Sequence, residues 1–432
     1  MSSIPSATAT EDGEPAAAAP PTGPGTHDPI AALRSRDFRL YLVGNFVVTV
    51  GHQMQTTAIG WELYERTNNA FNLGLVGLVQ MIPVILLVLH AGHVADRFDR
   101  KRVAMLMLAL FALSSAGLAL VSARRGPIVL IYASLLVFGV ARAFYGAARG
   151  SLLPQLVPRE HLANAVTWSS AAWQLAAVAG PALGGTLIAV LGRAAPVFAL
   201  DAAACLLFLA LLGLVRGKQA TRGTGRATLE SLFAGVRFLT RTDVLLAAIT
   251  LDMVAVLLGG ATALMPVFAR DILRVGPSGL GWLNAAPAAG AVLMALTLAA
   301  RPPLARAGQA LIVSVIGFGI ATIVFGLSRS FPLSLAALFV LGALDNVSVV
   351  IRSALLQLLT PDELRGRVAS VNALFIGTSN ELGGFESGAL AAAVGPVASV
   401  VAGGIGTVVT VVAIAAKWPV LRRLGRVQEA AA

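Results

Sequence analysis

Charged residues are scarce in this chain. Of its 432 residues, 12% are charged and 57% are hydrophobic, against about 25% and 45–50% in an average soluble protein. A soluble fold needs enough polar surface to cover its apolar interior, and this composition does not provide it. The scarcity of charge therefore excludes soluble enzymes, disordered chains and collagen-like chains, and it indicates a protein with many membrane helices.

Cysteine is almost absent as well, because Cys205 is the single one and lies in an apolar run. One cysteine cannot form an intramolecular disulfide or a metal site built from cysteines, so we expect an inert buried thiol, no metal and no cofactor. The chain also lacks a Walker phosphate loop, a His-Glu-x-x-His metal motif and a Gly-x-Ser-x-Gly nucleophile turn. These absences predict that the protein is not an enzyme and does not use ATP directly.

Residues 1–29 contain no Lys or Arg and are rich in Ala, Pro, Ser, Thr and Gly. A secretory signal needs a positive start followed by an apolar core, and this segment has neither. We interpret it as a disordered cytoplasmic tail.

Twelve apolar segments follow, each about as long as a membrane helix requires. They lie at 40–61, 73–91, 103–122, 127–148, 163–191, 196–215, 244–269, 280–300, 309–327, 332–351, 368–394 and 397–418. The predicted fold is an all-α membrane protein whose twelve transmembrane helices form two pseudo-symmetric six-helix bundles, at 30–215 and 244–418. The linker at 216–243 contains an apolar spacing that predicts an amphipathic helix on the cytoplasmic face. Residues 419–432 are a second cytoplasmic tail.

The basic residues are distributed unevenly between the loops. Most of the 32 Lys and Arg residues fall on the side of the predicted membrane that holds the N-terminus, including Arg352 in a predicted loop. The positive-inside rule then makes both termini cytoplasmic in a multi-pass protein of the cytoplasmic (inner) membrane. Loops at anionic lipid account for the net charge of +11, and no nucleic-acid partner is expected.

The two halves carry a sequence repeat. Gly77-Leu-Val-Gln-Met-Ile-Pro83 is matched by Gly281-Trp-Leu-Asn-Ala-Ala-Pro287, and residues 149–158 are matched by residues 352–361. Each matched pair lies on the same side of the membrane, so the halves have the same orientation. A parallel repeat of this kind predicts a substrate site between the halves near mid-membrane.

The loop after the second span reads Gly92-His-Val-Ala-Asp-Arg-Phe-Asp-Arg-Lys-Arg102. It resembles the signature of the Major Facilitator Superfamily between helices 2 and 3. The resemblance implies a gating role for Gly92, Asp96, Arg97, Arg100 and Lys101. The sequence departs from the signature at Asp99, where the superfamily usually has glycine. A basic loop that serves topology alone is the alternative.

In the fifth span, Gly180-Pro-Ala-Leu-Gly-Gly185 resembles a Gly-Pro-rich motif of superfamily exporters. Pro181 removes a helical hydrogen bond, and Gly180, Gly184 and Gly185 permit a close, bent helix crossing. A packing kink without directional meaning is the alternative interpretation.

Further strings resemble the enterobactin exporter branch of the superfamily. They are FRLYLVGNF, GHVADRFDRKRV, LLPQLVPREHLANA, SLFAGVRFL, LRGRVASVNAL and GPVASVVAGGIG, in this order along nearly the whole transmembrane region. The resemblance implies a secondary-active exporter of siderophores, drugs or other small molecules, driven by the proton motive force. The expected partners are a small-molecule substrate, protons and lipid, and the expected functional unit is a monomer. Drug or metabolite efflux without a siderophore role is one alternative, and a non-transporting membrane sensor is another.

Ionisable residues inside a membrane span are costly unless they are paired or hydrated. Arg142 and Asp345 occupy equivalent positions of the repeat, so one hypothesis pairs them as a cytoplasmic gate. Separate neutralisation by other neighbours is the alternative. Glu381 lies near mid-membrane and is the first candidate for proton coupling, followed by Asp252 and Glu386. A carboxyl group that only holds helices together is the structural alternative.

The first span is unusually polar, with Asn45, His52, Gln53 and Gln55. This pattern predicts a helix that lines the substrate cavity, and His52 is a candidate for titration near physiological pH. Trp168 and Trp173 of the fifth span are candidates to stack on an aromatic substrate. Core packing is the alternative for both tryptophans, and a hydrogen-bonding role is the alternative for His52.

Overall fold

The structure is a computed structural model, and it describes residues 28–216, 229–302 and 304–425. The tail predicted at 1–29 falls almost entirely outside the described residues. The linker segment 217–228 and residues 426–432 lie outside them too. The disorder and the boundaries expected for those segments stay predictions.

The N-terminal half is a bundle of six long helices. They are α1 (Arg36–Thr67), α2 (Ala70–Arg97), α3 (Arg100–Ala123), α4 (Ile128–Leu152), α5 (Leu162–Leu191) and α6 (Ala195–Leu214). The side chains of Ser35, Asn69 and Asp99 accept hydrogen bonds from the first free amides of α1, α2 and α3. Ser, Asn and Asp are the residue types that satisfy these amides best, so the sequence itself determines where these helices begin.

The C-terminal half follows a linker helix, α7 (Leu229–Arg241). Its first span is broken: α8 (Asp243–Leu258) continues through a 3-10 turn, the short α9 (Met265–Val267) and a π turn that ends at Ile272. Adjacent glycines at the break and a proline in α9 explain the irregular path. The other helices are α10 (Gly276–Ala299), α11 (Ala307–Leu327), α12 (Phe331–Leu359), α13 (Arg365–Val394), α14 (Pro396–Lys417) and α15 (Pro419–Arg423).

The structure confirms the predicted all-α fold of twelve spans. Ten helical segments of the described residues are long and apolar enough to cross a membrane. The other two are α1 and α13, which have 32 and 30 residues but carry more polar side chains. Polar groups in a membrane helix are tolerated where they face protein or a water-filled cavity. The protein is therefore a multi-pass membrane protein whose first and eleventh spans face inward.

The two ends of the molecule are distinguished by what they hold. The terminal face is the end at which α1 begins and α6 ends, and there the amide of Arg216 donates to the Asp37 carboxylate at 3.1 Å. The far face is the opposite end, where the Arg66 guanidinium of α1 donates to the Gly126 carbonyl. Helix α7 lies at the terminal face, since a Cβ added at Gly235 would meet the carbonyl of Arg367 in α13 at 3.1 Å.

Three apolar cores show how the halves meet. One core lies toward the far face and contains residues of both halves, from α1 to α6 and from the broken span to α14. The other two lie toward the terminal face, and each belongs to one half alone. The halves are thus packed together at the far face and have separate cores at the terminal face.

Candidate functional site

A cavity of about 280 Å³ lies between the two halves. Its walls come from α1, α2, the broken span, α10 and α13: Thr56, Thr57, Gly60, Leu73, Gly74, Val76, Gly77, Thr262, Ala263, Pro266, Asn284, Asn380, Glu381 and Gly384. A second cavity of about 230 Å³ shares Thr262 and Asn380 with it and continues into the C-terminal half as far as Asp345. Together the two have the size of a small-molecule pocket.

An ion pair joins the two halves beside the first cavity, which Glu381 lines. Arg142 Nη1 on α4 donates to the carboxylate Oε1 of Glu381 on α13 at 3.0 Å, and the two side chains are 44% and 24% exposed. Gly77 of α2 leaves space for the carboxylate, because a Cβ there would lie 2.5 Å from Glu381 Oε2. Two opposite charges therefore meet, partly hydrated, at the boundary between the halves, where a membrane protein tolerates them.

This pairing corrects the gate that the repeat suggests. Arg142 pairs with Glu381, and Asp345 instead lines the second cavity. A sequence repeat places two equivalent residues at the same depth in their halves. Such residues contact each other only if they also lie close to the symmetry axis. The long side chain of Arg142 reaches α13, so the Arg142–Asp345 pair is not formed in this state.

Polar contacts close the pathway at the far face. Tyr64, near the end of α1, donates its hydroxyl to the carboxylate of Asp271 in the other half. Arg270 donates to the Tyr64 carbonyl at 3.1 Å and to the Asn68 side chain at 2.7 Å. These contacts form a far-face gate of Tyr64, Asn68, Arg270 and Asp271.

Beneath the far-face gate, the halves touch through their backbones. A Cβ added at Gly281 of α10 would meet the Pro181 carbonyl at 2.5 Å and the Gly185 Cα at 3.1 Å. At the second crossing, a Cβ added at Gly388 of α13 would meet the Gly74 Cα of α2 at 2.8 Å. Such distances admit only glycine, so two glycine crossings seal this part of the molecule.

The Gly-Pro motif of α5 makes two contacts at once. Cβ atoms added at Gly180 and Gly184 would meet the Cβ of Gln53 at 2.5 Å and the Cα of Met54 at 2.9 Å, both on α1. Pro181 and Gly185 contact α10 of the other half. The motif thus holds α5 against α1 within one half and also forms the crossing with the other half.

The same pathway is open at the terminal face. Cβ atoms added at Gly146 and Gly150 of α4, or at Gly366 and Gly377 of α13, would meet no atom within 4 Å. Together with the separate cores of the two halves, this indicates that α4 and α13 diverge from mid-depth toward the terminal face. The Arg142–Glu381 ion pair lies where they begin to part.

Asp252 lies in a buried polar cluster of the C-terminal half. Its carboxylate pairs with the Arg352 guanidinium and accepts a hydrogen bond from Ser348 at 3.2 Å. Arg352 is 3% exposed and belongs to α12, which corrects its predicted place in a loop. The counter-charge of Asp252 allows the helix to continue through a charged residue. A narrow space beside the cluster reaches Asp345.

We expect Asp252→Asn to destabilise the protein strongly, because it leaves the Arg352 charge buried without a partner. Removal of one member of a buried ion pair costs about 3–5 kcal/mol. The double variant Asp252→Asn with Arg352→Met removes both charges and is expected to recover most of the loss. The melting temperature of the purified protein in detergent measures both effects, and a double variant no more stable than the single one would contradict the pairing.

The predicted gating loop is reduced to a two-residue turn. Gly92, Asp96 and Arg97 belong to the end of α2, and Arg100 and Lys101 begin α3. The side chain of Asp96 lies outside those that the structure describes. Lys101 ties the turn to the end of α6, where its Nζ donates to the carbonyls of Gly213 and Val215 at 3.1 and 2.7 Å. A cation is favoured at a helix C-terminus.

The structure explains why Asp99 can replace the glycine that is usual in the superfamily signature. Its φ is −60°, a value that any residue adopts, so the turn does not require glycine. Its carboxylate also accepts from the amide of Lys101 at 2.9 Å and thereby caps α3. Aspartate therefore lacks the backbone freedom of glycine at this position but provides an N-terminal cap for α3.

The polar side chains of α1 lie mostly within the N-terminal bundle. Asn45 and Gln55 are buried, and Gln53 packs against Gly180 of α5. The α1 residues that line the first cavity are instead Thr56, Thr57 and Gly60. The difference from expectation has a physical reason: a polar residue in a membrane helix signals a partner, and that partner is a cavity or another buried polar group.

The remaining candidates lie outside the walls of these two cavities. His52 is near Asp201 and Cys205 of α6. Trp168 lies at the terminal face, where its indole N–H donates to the Pro29 carbonyl at 3.0 Å, and Trp173 is half-exposed. The Glu386 carboxylate accepts from the Ser387 hydroxyl at 3.4 Å.

The far-face gate and Arg352 are the functional features that the sequence did not predict. The gate has a weak signal, since Arg270 and Asp271 are adjacent opposite charges at the end of a span. Arg352 has a stronger one, because an aspartate inside an apolar span requires a positive partner.

Comparison with known proteins adds relatives along most of the chain. Residues 27–427 match the family model described as transmembrane secretion effector. The multidrug efflux pump Tap of Mycolicibacterium fortuitum is 27% identical over 367 residues, which cover 82% of this chain and 89% of Tap. The enterobactin exporter EntS of Shigella boydii is 27% identical over 376 residues, which cover 86% of this chain and 89% of EntS.

Solved structures share the fold. A bacterial homologue of the human lysosomal transporter Spinster, in an inward-facing and unoccupied conformation, has a TM-score of 0.69 at 15% identity, covering 90% of this chain and 97% of that one. A bacterial homologue of the iron transporter ferroportin, in an inward-facing state, has a TM-score of 0.67 at 17% identity, covering 89% and 98%. At these identities the likeness confirms the predicted transporter fold and carries nothing finer.

Proposed function

Because this chain belongs to the transmembrane secretion effector family of the Major Facilitator Superfamily, we propose that it exports a small molecule from the cytoplasm by proton antiport. It is a membrane transporter and not an enzyme. The direction of transport is supported by the relatives, because one is a multidrug efflux pump and the other an enterobactin exporter. Both align with this chain over most of their lengths, which include both halves.

The orientation follows from the basic residues. They concentrate on the terminal face, and the positive-inside rule makes this face cytoplasmic in the inner membrane. The pathway is then open to the cytoplasm and closed by the far-face gate and the two glycine crossings on the outer side. This is the state in which an exporter loads its substrate, and rocking of the halves about the central cavity produces the opposite state.

The observation that carries the coupling mechanism is the Arg142–Glu381 ion pair at 3.0 Å. In the cytoplasm-open state Glu381 is ionised and paired, so its proton has already left. A substrate that enters the cavity weakens the pair, and the halves become free to rock. On the outer side Glu381 takes up a proton, which neutralises it while the empty transporter returns. Each cycle thus exchanges one substrate for at least one proton.

The cavity walls favour a mixed polar and apolar substrate. Threonine and asparagine side chains alternate with small apolar residues, and the ion pair offers one charge of each sign. An anionic siderophore would contact Arg142, and a cationic drug would contact Glu381. We propose a siderophore or drug-like compound, with broad drug efflux as the second candidate because Tap is as similar to this chain as EntS is.

Transport in proteoliposomes tests the proposal. The purified protein is reconstituted, a pH gradient is imposed, and the movement of a catecholate siderophore and of a set of cationic dyes is followed. We expect at least one compound to move in the direction opposite to the proton flow. A protonophore should abolish this movement, and protein-free vesicles should not show it. A transport rate that does not change with the pH gradient would contradict proton antiport. The absence of transport for every compound would contradict export.

A further inference from the structure

Three side chains with metal-binding atoms meet inside the N-terminal bundle, apart from the transport cavity. His52 projects from α1, and Asp201 and Cys205 project from adjacent turns of α6. His52 Nε2 lies 3.6 Å from the Cys205 sulfur and 3.9 Å from Asp201 Oδ1. The three atoms all lie within 4.8 Å of one another, although the residues are widely separated in the sequence.

The Asp201 carboxylate is only half satisfied. It is 0% exposed, and its Oδ2 accepts a hydrogen bond from Ser115 at 2.6 Å, while its Oδ1 has no hydrogen-bond partner. A buried carboxylate oxygen without a partner is unfavourable in such an apolar place. Gly51 keeps the space on this side clear, because a Cβ there would lie 2.5 Å from Oδ1.

We propose that His52, Asp201 and Cys205 bind one divalent transition-metal ion of the Zn²⁺ class. Zinc takes imidazole nitrogen, thiolate and carboxylate ligands at about 2.0–2.3 Å in tetrahedral geometry. Those bond lengths place neighbouring ligand atoms about 3.3–3.7 Å apart, close to the observed 3.6 and 3.9 Å. The third separation, between the Cys205 sulfur and Asp201, is within 4.8 Å, so the ligands move inward by up to about 1 Å when the ion binds.

The charges of this site also balance. The thiolate of Cys205 and the carboxylate of Asp201 carry two negative charges, and the imidazole of His52 is neutral, so a divalent ion makes the site neutral within the bundle. Binding releases the Cys205 thiol proton to water. No transport cavity residue takes part, so this site does not depend on the proposed function.

The surroundings hold the ligands in position. The rings of Phe111 and Phe138 pack edge-on against the His52 ring, with centroids 4.9 and 5.0 Å away. Ser115 donates to Asp201 and in turn accepts from Gln55 at 3.3 Å. Such outer hydrogen bonds orient metal ligands and typically contribute 10–100-fold to metal affinity.

Access and a fourth position come from the His52 side. Its side chain is 24% exposed, whereas Asp201 and Cys205 are buried. Three protein ligands leave one coordination position of a tetrahedral ion for water. The ion would join α1 to α6 and stiffen the N-terminal half during rocking.

The sequence explains why this site is not predicted from spacing. A site built from cysteines needs several of them, and this chain has one. A mixed site requires only that the fold bring different residue types together, and the distance between α1 and α6 is a tertiary property. The first half of the pattern, an Asp and a Cys four residues apart on one helix face, is visible in the sequence.

Cobalt binding tests the proposal, because Co²⁺ occupies zinc sites and shows a near-ultraviolet charge-transfer band when a thiolate binds it. The full-length protein, purified in detergent with its affinity tag removed and stripped of metal, is titrated with Co²⁺. We expect one Co²⁺ per chain with a thiolate band, and its displacement by Zn²⁺. Since Cys205 is the only cysteine, the band reports on this site alone.

Variants locate the other ligands. We expect Cys205→Ser to abolish the band, and His52→Gln and Asp201→Asn each to weaken Co²⁺ binding at least about tenfold. His161→Gln, which changes a partly exposed histidine at the terminal face, is the matched control and is expected to bind Co²⁺ as the unchanged protein does. No thiolate band in the unchanged protein at saturating Co²⁺ would overturn the proposal, whatever the variants do. Affinity that His52→Gln and Asp201→Asn leave unaltered would overturn it too.

Discussion

Replacement of Glu381 by glutamine is expected to lower the rate of proton-driven export by roughly tenfold or more, which corresponds to a free-energy difference of at least about 1.4 kcal/mol. Glutamine keeps the volume of the side chain but can neither ionise nor carry a proton. It also leaves the Arg142 guanidinium without the carboxylate that it contacts at 3.0 Å between the halves. Both the coupling and the contact across the cavity are lost together, so export against a proton gradient is the measurement that shows the effect.

A second carboxylate on the same helix provides the matched control. Glu386 lies five residues after Glu381 on α13, and its carboxylate contacts the hydroxyl of the neighbouring Ser387. We expect Glu386→Gln to retain proton-driven export within about twofold. If Glu386→Gln abolished the response to pH while Glu381→Gln left it intact, the assignment of the coupling carboxylate would be wrong.

The substitution Gly281→Val is expected to prevent the far face from closing. We expect it to reduce export by a factor comparable to that of Glu381→Gln, roughly tenfold. The atoms that an added Cβ would meet, at 2.5–3.2 Å, all belong to the backbone of α5, so no side-chain rearrangement relieves the overlap. Overpacking of this kind costs about 1–3 kcal/mol, which shifts a two-state equilibrium by roughly 5–150-fold. Because the cost arises only when the far face is closed, the variant favours the opposite state.

Gly213→Val is the control for this substitution. Gly213 lies on α6, and the nearest atom to its added Cβ is the flexible end of Met105 at 3.8 Å. We expect it to fold and to transport normally. A loss of export in Gly213→Val as large as that in Gly281→Val would show that any bulky residue in these helices is harmful, and it would remove the argument for a specific crossing.

The number, order and approximate ends of the spans could be predicted from the sequence, because the membrane penalises charge at every position. The turn between α2 and α3 was predicted in the right place but too long, because both helices extend into the predicted loop and leave only Phe98 and Asp99 between them. The prediction failed where a charge is paired inside the membrane, as Arg352 is with Asp252. From the sequence, a single arginine next to an apolar run fits both a residue in a loop and a residue that is paired with a buried carboxylate.

The candidate site was predicted in part. Glu381 lines the cavity between the halves and Asp345 lines the adjoining cavity of the C-terminal half, because carboxylates near mid-membrane require hydration. The partner of Arg142 was not predictable, since the choice between Asp345 on α12 and Glu381 on α13 depends on how the two halves pack against each other. Asn45 and Gln55 were expected in the cavity but are buried in the N-terminal bundle, where Gln55 donates to Ser115. Polar residues indicate that a helix faces inward, but they do not identify what it faces.

The far face and the terminal face are expected to open in alternation, and distances between spin labels measure this movement. One label pair replaces the exposed Arg193 and Arg329 at the far face, and another replaces the exposed Arg159 and Glu363 at the terminal face; the buried Cys205 stays in place. In the unchanged protein we predict a short, narrow far-face distribution and a long terminal-face distribution. In Gly281→Val we predict a longer far-face distance together with a shorter terminal-face one. Two distances that lengthen together, or that both stay unchanged, would contradict alternating access in this protein.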